Sequence, residues 1–395
     1  MPGWHASTQQ LQRDGALQNV GIVQEQHPSR ARLFMQWQEM DWPVMVDSLN
    51  LLGLKVVPVT YLVDEAGVIR YRGGLEGLDA FLAREAPRPA PEAADVIAPP
   101  APDAPRPSAA AAVEAADHHF IWGGPDALDA AVDGYRRALA GPADGIDLGA
   151  VHFRLGVSLR RRADSPQRRD GDFAAAVEHW GHALDDDPNQ YIWRRRIQQY
   201  GPRLEKPYSF YDWVDRARRE ITSRGEEPVQ LDVEPRGAEL AQPSRDFTAD
   251  RADAEPPIHA HRIHRDEKGL VRLEHTLVPG QITSGSAARV HLTFRPNAEV
   301  QGHWNNEADD IEVWLEAPDG WQLDRRRLTV ANPPELVSDE PRRMELEVRS
   351  PADARPGAGA ELQGFALYYV CEDVRGTCLY RRHDFTVALP VAAAP

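Results

Sequence analysis

Cysteine is nearly absent from this chain of 395 residues, which contains two, Cys371 and Cys378. They lie close together in the segment 368–380, YYVCEDVRGTCLY. Thiol–disulfide chemistry needs cysteines that can reach one another. Any such chemistry in this protein therefore depends on this one pair.

Long apolar runs are also absent, since no stretch approaches the roughly 18 apolar residues that cross a bilayer as a helix. The first residues, MPGWH, have neither the charged nor the apolar region of a secretory signal. We therefore expect no membrane span and, for the chain as it stands, a cytoplasmic protein. A start upstream of Met1 that supplied a signal would indicate a periplasmic protein instead.

The motifs of common enzyme chemistry are missing. There is no Walker A run, dinucleotide fingerprint, His-Glu-x-x-His pair or GxSxG elbow, and a formal net charge of −16 argues against nucleic-acid binding. His259, His261 and His264 lie at the edge of a polar stretch, which favours a solvated run over a metal site, and His303 stands apart from them. We expect no metal and no cofactor.

The chain is too long for one ordinary core, and two stretches divide it. Residues 86–113 are rich in alanine and proline, which is typical of an extended spacer. Residues 222–260 are polar and show little periodicity. We therefore predict an α/β domain over 1–85, a spacer over 86–118, a helical domain over 119–221, a polar linker over 222–261 and a β domain over 262–395.

Strand and helix patterns alternate in the first segment, which predicts an α/β layer structure. Its segment 56–67, VVPVTYLVDEAG, resembles the thioredoxin-like redoxins, the group of periplasmic thiol reductases and peroxiredoxin-related proteins. In that family a Val-Pro opens the strand with the proline cis, and an Asp-x-x-Gly turn follows. The resemblance implies a thioredoxin-like fold in which Val57 and Pro58 bind substrate, because proline leaves the preceding backbone free to do so.

The redox motif of that family is missing here. In the redoxins a strand leads into Cys-x-x-Cys at the first helix, whose N-terminus stabilises a thiolate. Met1 and Trp4 stand at those positions, and no residues remain for the first strand. Either the motif has decayed or the start lies inside a longer reading frame, and in both cases we expect this incomplete domain to be inactive. Trp4 and Tyr61 are interpreted as packing residues.

A helical pattern recurs in the middle segment. Two sets of residues share the same spacing, namely Ala131, Tyr135 and Ala138 with Pro142, and Ala176, Trp180 and Ala183 with Pro188. They resemble the second helix of tetratricopeptide repeats, whose small residues let helices pack closely. The resemblance implies an all-α repeat domain that binds a protein partner, with a helix around 208–214 as its cap.

Three arginines, Arg194, Arg195 and Arg196, lie in the basic and aromatic segment 191–203. One interpretation is a partner-binding surface for an acidic peptide or a carboxylate terminus, because guanidinium groups pair with carboxylates through two hydrogen bonds. The other is a solvated helix face whose apolar residues pack inward. We favour the second interpretation.

The C-terminal segment contains one alternating run after another, with Pro, Gly, Asn and Asp between them. This spacing predicts an all-β, antiparallel sandwich of immunoglobulin-like type. The clearest strand runs are 271–277, 288–294, 311–315, 344–348, 365–370 and 385–389.

Cys371 and Cys378 flank an Arg-Gly turn between two β-rich runs. If the runs pair as a hairpin, their Cβ atoms can approach to about 4.5–5.5 Å, close to what a disulfide needs. Three interpretations are open: a disulfide active in exchange, a structural clip that contributes about 2 kcal/mol to stability, and two reduced thiols. Neighbours that could shield the pair or change its reactivity are Tyr368, Tyr369, Tyr380, Arg375, Arg381, Arg382, Glu372 and Asp373.

This hairpin resembles the redox hairpin of the amino-terminal, immunoglobulin-like domain of the DsbD membrane thiol reductase. In that domain two cysteines on adjacent strands pass electrons to periplasmic partners. Here the loop is one residue longer, and LYRR follows the second cysteine where that domain has an aromatic residue and proline. The resemblance implies that Cys371 and Cys378 are a catalytic redox pair.

Two functional hypotheses follow. The first is a thiol–disulfide relay or redox adaptor, which makes the protein a candidate thiol–disulfide oxidoreductase, with exchange at the cysteine pair and a repeat domain that holds a protein partner. The second is a non-catalytic interaction scaffold in which the pair is structural or inert. The reduction potential of the pair and a mixed-disulfide trap distinguish them.

Overall fold

The structure, a computed structural model, describes residues 2–84, 108–142, 145–204, 210–242, 247, 255–372 and 376–393. The contacts divide the chain into two compact units. The first comprises Met1–Arg169, His182–Arg196 and Ser209–Pro235. The second comprises Asp170–Gly181, Ile197–Tyr208 and Arg236–Pro395.

The N-terminal region alternates helices and short strands, as its pattern predicted. The helices are α1 (Pro2–Arg13), α2 (Pro28–Trp37) and α3 (Leu78–Leu82). The strands are β1 (Gly21–Val23), β2 (Val44–Val46), β3 (Tyr61–Val63) and β4 (Ile69–Arg72). β1 pairs with β2 in parallel, and β3 pairs with β4 antiparallel.

The thioredoxin-like fold predicted for residues 1–85 is wrong. Such an α/β layer structure needs one central sheet, whereas the described strands of this region form two separate sheets of two strands. Patterns this short predict strands but do not specify which edges pair. Trp4 lies in α1 and packs on the cluster of Leu62, Leu78 and Phe81, as a packing residue should; Tyr61 is 36% exposed.

Six helices follow in the described middle part of the chain: α4 (Ala109–Trp122), α5 (Leu128–Ala140), α6 (Leu148–Ala163), α7 (Asp172–Asp186), α8 (Tyr191–Gln198) and α9 (Val214–Ser223). The helical residues that suggested a repeat are all fully buried: Ala131, Tyr135, Ala138, Ala176, Trp180 and Ala183. α4 packs on α5, and α5 packs on α6. In the part of the chain that the structure describes, no helix has the length and apolarity to cross a membrane.

The prediction of a separate all-α, tetratricopeptide-like domain is wrong. Arg196 on α8 donates hydrogen bonds to the side chain of Gln26 (2.8 Å) and to the carbonyl of Ser48 (3.3 Å). Gln26 in turn donates to the carbonyl of Val157 on α6 (3.2 Å). These helices therefore share a unit with the short N-terminal strands, because they bury side chains against that region as well as against one another. The protein is a mixed helix-and-sheet structure.

Two predicted boundaries also differ from the structure. The helix expected around 208–214 begins later, as α9, and residues 205–209 lie outside the described part. α9 buries its apolar face against Leu33 of α2, and Val229 and Leu231 pack on the same cluster although they lie in the predicted polar linker. α9 therefore packs against α2, whereas it was expected to cap the helical repeat.

The predicted spacer over 86–118 overlaps α4. Residues 85–107 lie outside the described part of the chain. Ser108 caps α4, since its side chain accepts a hydrogen bond from the N–H of Ala111 (3.2 Å), and Ala116 is fully buried. The helical region therefore begins before residue 119.

The C-terminal part is built from antiparallel strands, and every predicted run lies within one of them. The strands are β5 (Val271–Val278), β6 (Ala287–Pro296), β7 (Gly302–Asn305), β8 (Ile311–Glu316), β9 (Gln322–Leu323), β10 (Arg327–Val330), β11 (Val337–Ser338), β12 (Arg342–Arg349), β13 (Gly359–Glu372) and β14 (Cys378–Pro390). One sheet has the order β5-β6-β12-β9. The other has the order β10-β8-β13-β7-β11, with β14 paired to β13.

The predicted immunoglobulin-like arrangement is wrong. The constant-type sandwich has sheets of four and three strands, whereas the described sheets have four and six. The difference comes from the length of β13, which pairs with β8 and then β7 along one edge and with β14 along the other. Apolar side chains from both sheets, such as Phe294, Leu346 and Val370, form one core cluster.

The α2–α9 contact should be essential for the stability of the first unit. Leu33 is fully buried, so Leu33→Ala should lower the free energy of unfolding by about 3 kcal/mol through lost burial and a residual cavity. Urea denaturation measures the change. The matched variant Leu52→Ala, at a leucine that is 53% exposed, should lose less than about 0.5 kcal/mol. Equal losses in the two variants would contradict this account.

His27 is a buried titratable group of the first unit, 3% exposed at the start of α2. Burial lowers its pKa well below the ordinary value, and the positive charges of Arg30, Arg160, Arg196 and Arg161 lower it further. The folded protein therefore holds this imidazole neutral when the unfolded chain would protonate it.

We expect His27 to make folding less favourable as the pH falls. Its pKa is depressed in the folded state, so below about pH 6.5 the unfolded chain binds a proton that the folded protein does not bind. The contribution of His27 to the free energy of unfolding is therefore present above about pH 6.5 and is lost as the pH falls below it. His27→Gln should reduce the fall in unfolding free energy between about pH 6.5 and 5.5 by about 1 kcal/mol. Urea denaturation at each pH measures it. The variant His261→Gln, at an exposed histidine, should lose as much unfolding free energy over this pH range as the unmodified protein. An equal loss in the unmodified protein and in both variants would refute the role of His27.

Candidate functional site

The cysteine pair ends the ladder between β13 and β14. These strands pair antiparallel over 13 positions, the last of which joins Cys371 to Cys378. Beyond the pair, the N–H of Glu372 donates to the carbonyl of Thr377 (3.2 Å). Residues 373–375 of the connecting loop lie outside the described part of the chain. The pair therefore lies at the end of a long hairpin, beside its loop.

The two sulfur atoms form a disulfide bond. The Sγ atoms are 1.97 Å apart, and the Cα atoms of Cys371 and Cys378 are 3.9 Å apart. The register places the two residues directly opposite one another, which is the position that lets their side chains bond across the hairpin. The prediction that these cysteines can bond across a hairpin is confirmed.

The two halves of the disulfide differ in exposure. Cys371 is 2% exposed, since it lies inside β13 with β7 on one edge and β14 on the other. Cys378 is the first residue of β14 and is exposed. Of the two cysteines, Cys378 is therefore the one that lies at the surface, and Cys371 is shielded.

Two of the three predicted aromatic neighbours lie on the face that carries the disulfide, since residues two apart on a strand share a face. The rings of Tyr369 and Tyr380 stack with their centroids 4.5 Å apart. Burial raises the pKa of both hydroxyls, so they stay neutral at physiological pH. Tyr368 faces the core instead, where its hydroxyl donates to Asp266 (2.9 Å).

The charged residues near the pair are arranged differently from the sequence-based expectation. Glu372 is in an ion pair (2.8 Å), and Arg382 is in another (2.6 Å). Arg381 lies on the opposite face of β14 from Cys378, because successive side chains alternate. Arg375 and Asp373 lie outside the described residues. Neither Arg381 nor Arg382 is therefore placed to activate a thiol.

The strand β7 supplies a neighbour that the sequence did not suggest. It pairs antiparallel with β13, and His303 lies directly opposite Cys371. From the sequence, His303 was of interest only as a metal ligand. In the sequence, Gly302 and Trp304 alternate with polar residues, which is a weak signal for a strand, but four residues are too few to predict its partner.

The peptide bond between Val57 and Pro58 is cis, as the redoxin resemblance implied. Val57 is 49% exposed. These two residues belong to the first unit, and the cysteine pair belongs to the second. Substrate binding by Val57 and Pro58 stays a prediction.

The three neighbouring arginines lie in different environments. Arg194 is exposed. Arg195 lies with its guanidinium 3.5 Å from the centroid of the Phe210 ring, and burial lowers its pKa to about 10. Arg196 is 4% exposed and bonded to Gln26. Arg196 therefore stabilises the fold, and a shared partner-binding role for the three stays a prediction.

No metal cluster is visible among the described residues, since no three His, Cys, Asp or Glu side chains converge there. His259, His261 and His264 flank or occupy the short turn Ala260–Arg262.

No protein-family model matches the chain, and no curated protein matches it. Among solved structures, Spo0M, a sporulation control protein from Bacillus subtilis, is 12% identical with a TM-score of 0.16 over 32% of this chain, which spans about half (51%) of that protein. BslA, a bacterial hydrophobin, is 17% identical with a TM-score of 0.16, over 32% of this chain and 97% of BslA. AvmM, which catalyses macrocyclization in alchivemycin A biosynthesis, is 12% identical with a TM-score of 0.17, over 34% and 97% of the two chains. Similarities this low assign neither fold nor function.

The disulfide should contribute little to stability, because the rest of the ladder also holds the hairpin. The double variant Cys371→Ser/Cys378→Ser should lose about 2 kcal/mol of unfolding free energy, measured by urea denaturation with circular dichroism. Dithiothreitol should have the same effect on the unmodified protein and none on the double variant. A loss above about 5 kcal/mol would contradict this expectation, because it would mean that the ladder does not hold the hairpin without the bond.

Proposed function

We propose that the protein is a thiol–disulfide relay or adaptor that uses Cys371 and Cys378 as its redox pair and protein thiols as its partners. The observation that supports this best is the unequal exposure of the pair: Cys378 is exposed, and Cys371 is 2% exposed. Exposed disulfides are typically the labile, regulatory or catalytic ones. A purely structural bond gains nothing from an accessible sulfur.

Exchange begins when a partner thiolate attacks the Sγ of Cys378. The bond to Cys371 breaks, the Cys371 sulfur leaves with the electron pair, and the partner and Cys378 form a mixed disulfide. A second partner thiol then attacks the partner's own sulfur and releases the Cys378 thiolate. The partner has lost two electrons and two protons, and the cysteine pair has gained them. The same steps in reverse oxidise the pair.

The hairpin suits this cycle because the ladder joins its two strands at many positions besides the disulfide. Twelve further residue pairs of the ladder join β13 to β14 besides Cys371 and Cys378. A reduced Cys371 therefore stays beside Cys378 and can attack a mixed disulfide within the molecule. Such a preoriented step is much faster than one between separate molecules.

Single-cysteine variants test the assignment of the attacked sulfur. Cys371→Ser leaves Cys378 alone, and the matched Cys378→Ser leaves Cys371 alone. We expect Cys378 to form a mixed disulfide with glutathione disulfide at least about tenfold faster than Cys371, because only Cys378 is accessible. Mass spectrometry of the adduct against time measures both rates.

The reduction potential of the unmodified protein supplies the second measurement. A value above about −270 mV supports exchange with cellular dithiols. A value below about −300 mV, together with equally slow adduct formation by both variants, would assign the bond a structural role. That outcome would favour the non-catalytic scaffold.

A further inference from the structure

Three side chains lie in one row across three neighbouring strands. Cys371 on β13 pairs with Cys378 on β14 and with His303 on β7. Residues directly opposite one another on antiparallel strands share a face, with their Cβ atoms about 4.5–5.5 Å apart. The register therefore places the imidazole beside the buried cysteine, on the side away from the exposed one.

A buried thiol needs a proton acceptor before it can act as a nucleophile. Cys371 is 2% exposed, so bulk water has little access to it. The thiolate is the reactive form of cysteine, and a thiol shielded from water loses its proton reluctantly. An imidazole is the side chain best suited to accept a proton near neutral pH.

The hydrogen bond of His303 leaves one ring nitrogen free to act as a base. Its Nδ1 lies 3.4 Å from the carbonyl oxygen of Gln301. A carbonyl oxygen can only accept a hydrogen bond, so Nδ1 carries the proton in this contact. The neutral ring then presents Nε2 as an acceptor. His303 is half-buried, so it can pass an acquired proton to solvent.

We infer that His303 is the proton acceptor for the Cys371 thiol in the step that closes the disulfide. The inference rests on the proposed exchange at this pair, and it assigns distinct tasks to the three residues. Cys378 forms the mixed disulfide with the partner, Cys371 resolves it, and His303 accepts the proton of Cys371.

Oxidation of the reduced pair by a disulfide takes two steps. The Cys378 thiolate attacks one sulfur of the oxidant, which forms a mixed disulfide and releases the first thiolate. His303 Nε2 then takes the proton from Cys371, and the Cys371 thiolate attacks the Sγ of Cys378. The Cys371–Cys378 bond forms, the second thiolate leaves, and His303 returns its proton to that thiolate or to water. Two electrons pass from the pair to the oxidant.

The charged groups on the elements around β7 do not account for a pH dependence of this step. Carboxylates and amines keep their charge between about pH 6 and 9, whereas imidazoles and thiols change theirs. The charged groups in question are Glu372 with Lys268 (2.8 Å), Glu340 with Arg342 (3.0 Å), Glu299 with Arg272, and Asp339 after β11.

The test follows both steps in the full-length protein. The reduced protein is mixed with one equivalent of dithiobis(nitrobenzoate), which releases a coloured thiolate first on attack by Cys378 and again on closure by Cys371. His303→Asn keeps a side-chain N–H for the Gln301 carbonyl but removes the base. We expect an unchanged first phase and a second phase slowed about 100-fold at about pH 7. This difference in rate should become smaller as the pH rises to about 9.5, because hydroxide then competes with His303 for the thiol proton.

His275→Gln is the matched control, since His275 is an exposed histidine on β5 in the other sheet. Both of its phases should match those of the unmodified protein. An unchanged second phase in His303→Asn, or a slowing that is the same at every pH, overturns the role of His303. An absent first phase in the unmodified protein overturns the exchange function itself, so the two failures are distinguishable. The circular dichroism spectrum of His303→Asn, compared with that of the unmodified protein, shows whether the variant is folded.

Discussion

The antiparallel ladder between β13 and β14 determines the arrangement of the candidate site. Its 13 residue pairs place Cys371 opposite Cys378, and the other edge of β13 carries β8 and then β7. A slip of one residue would turn every side chain of a strand to the opposite face. The disulfide, the stacked tyrosines and the neighbouring histidine therefore all depend on one register.

Burial in the core holds that register. Ala366, Tyr368 and Val370 alternate with outward-facing residues along β13, and all three lie in the apolar cluster that both sheets enclose. A shifted register would expose this apolar set, at about 25 cal/mol for each Å². Packing on the core face of β13 therefore fixes the geometry of the site on its opposite face.

Local patterns predicted elements well and their assembly poorly. The runs that became β1, β2, β3 and β4 are strands, but they form two small sheets instead of one. The buried alanines of α5 and α7 predicted helices with close neighbours, yet Arg196 shows that α8 packs on the N-terminal region. Pairing and packing join residues far apart in the chain, and a pattern within a dozen residues contains no information on them.

The sequence by itself determined that the cysteines flank a turn between two β-rich runs and that they can meet across it. It did so because hairpin pairing is local, with both strands and the turn in one short segment. Only the tertiary structure decided that Cys371 is shielded, that Cys378 is exposed, and that His303 completes the row. These properties depend on β7 and the core, which reach the hairpin only after distant strands have assembled.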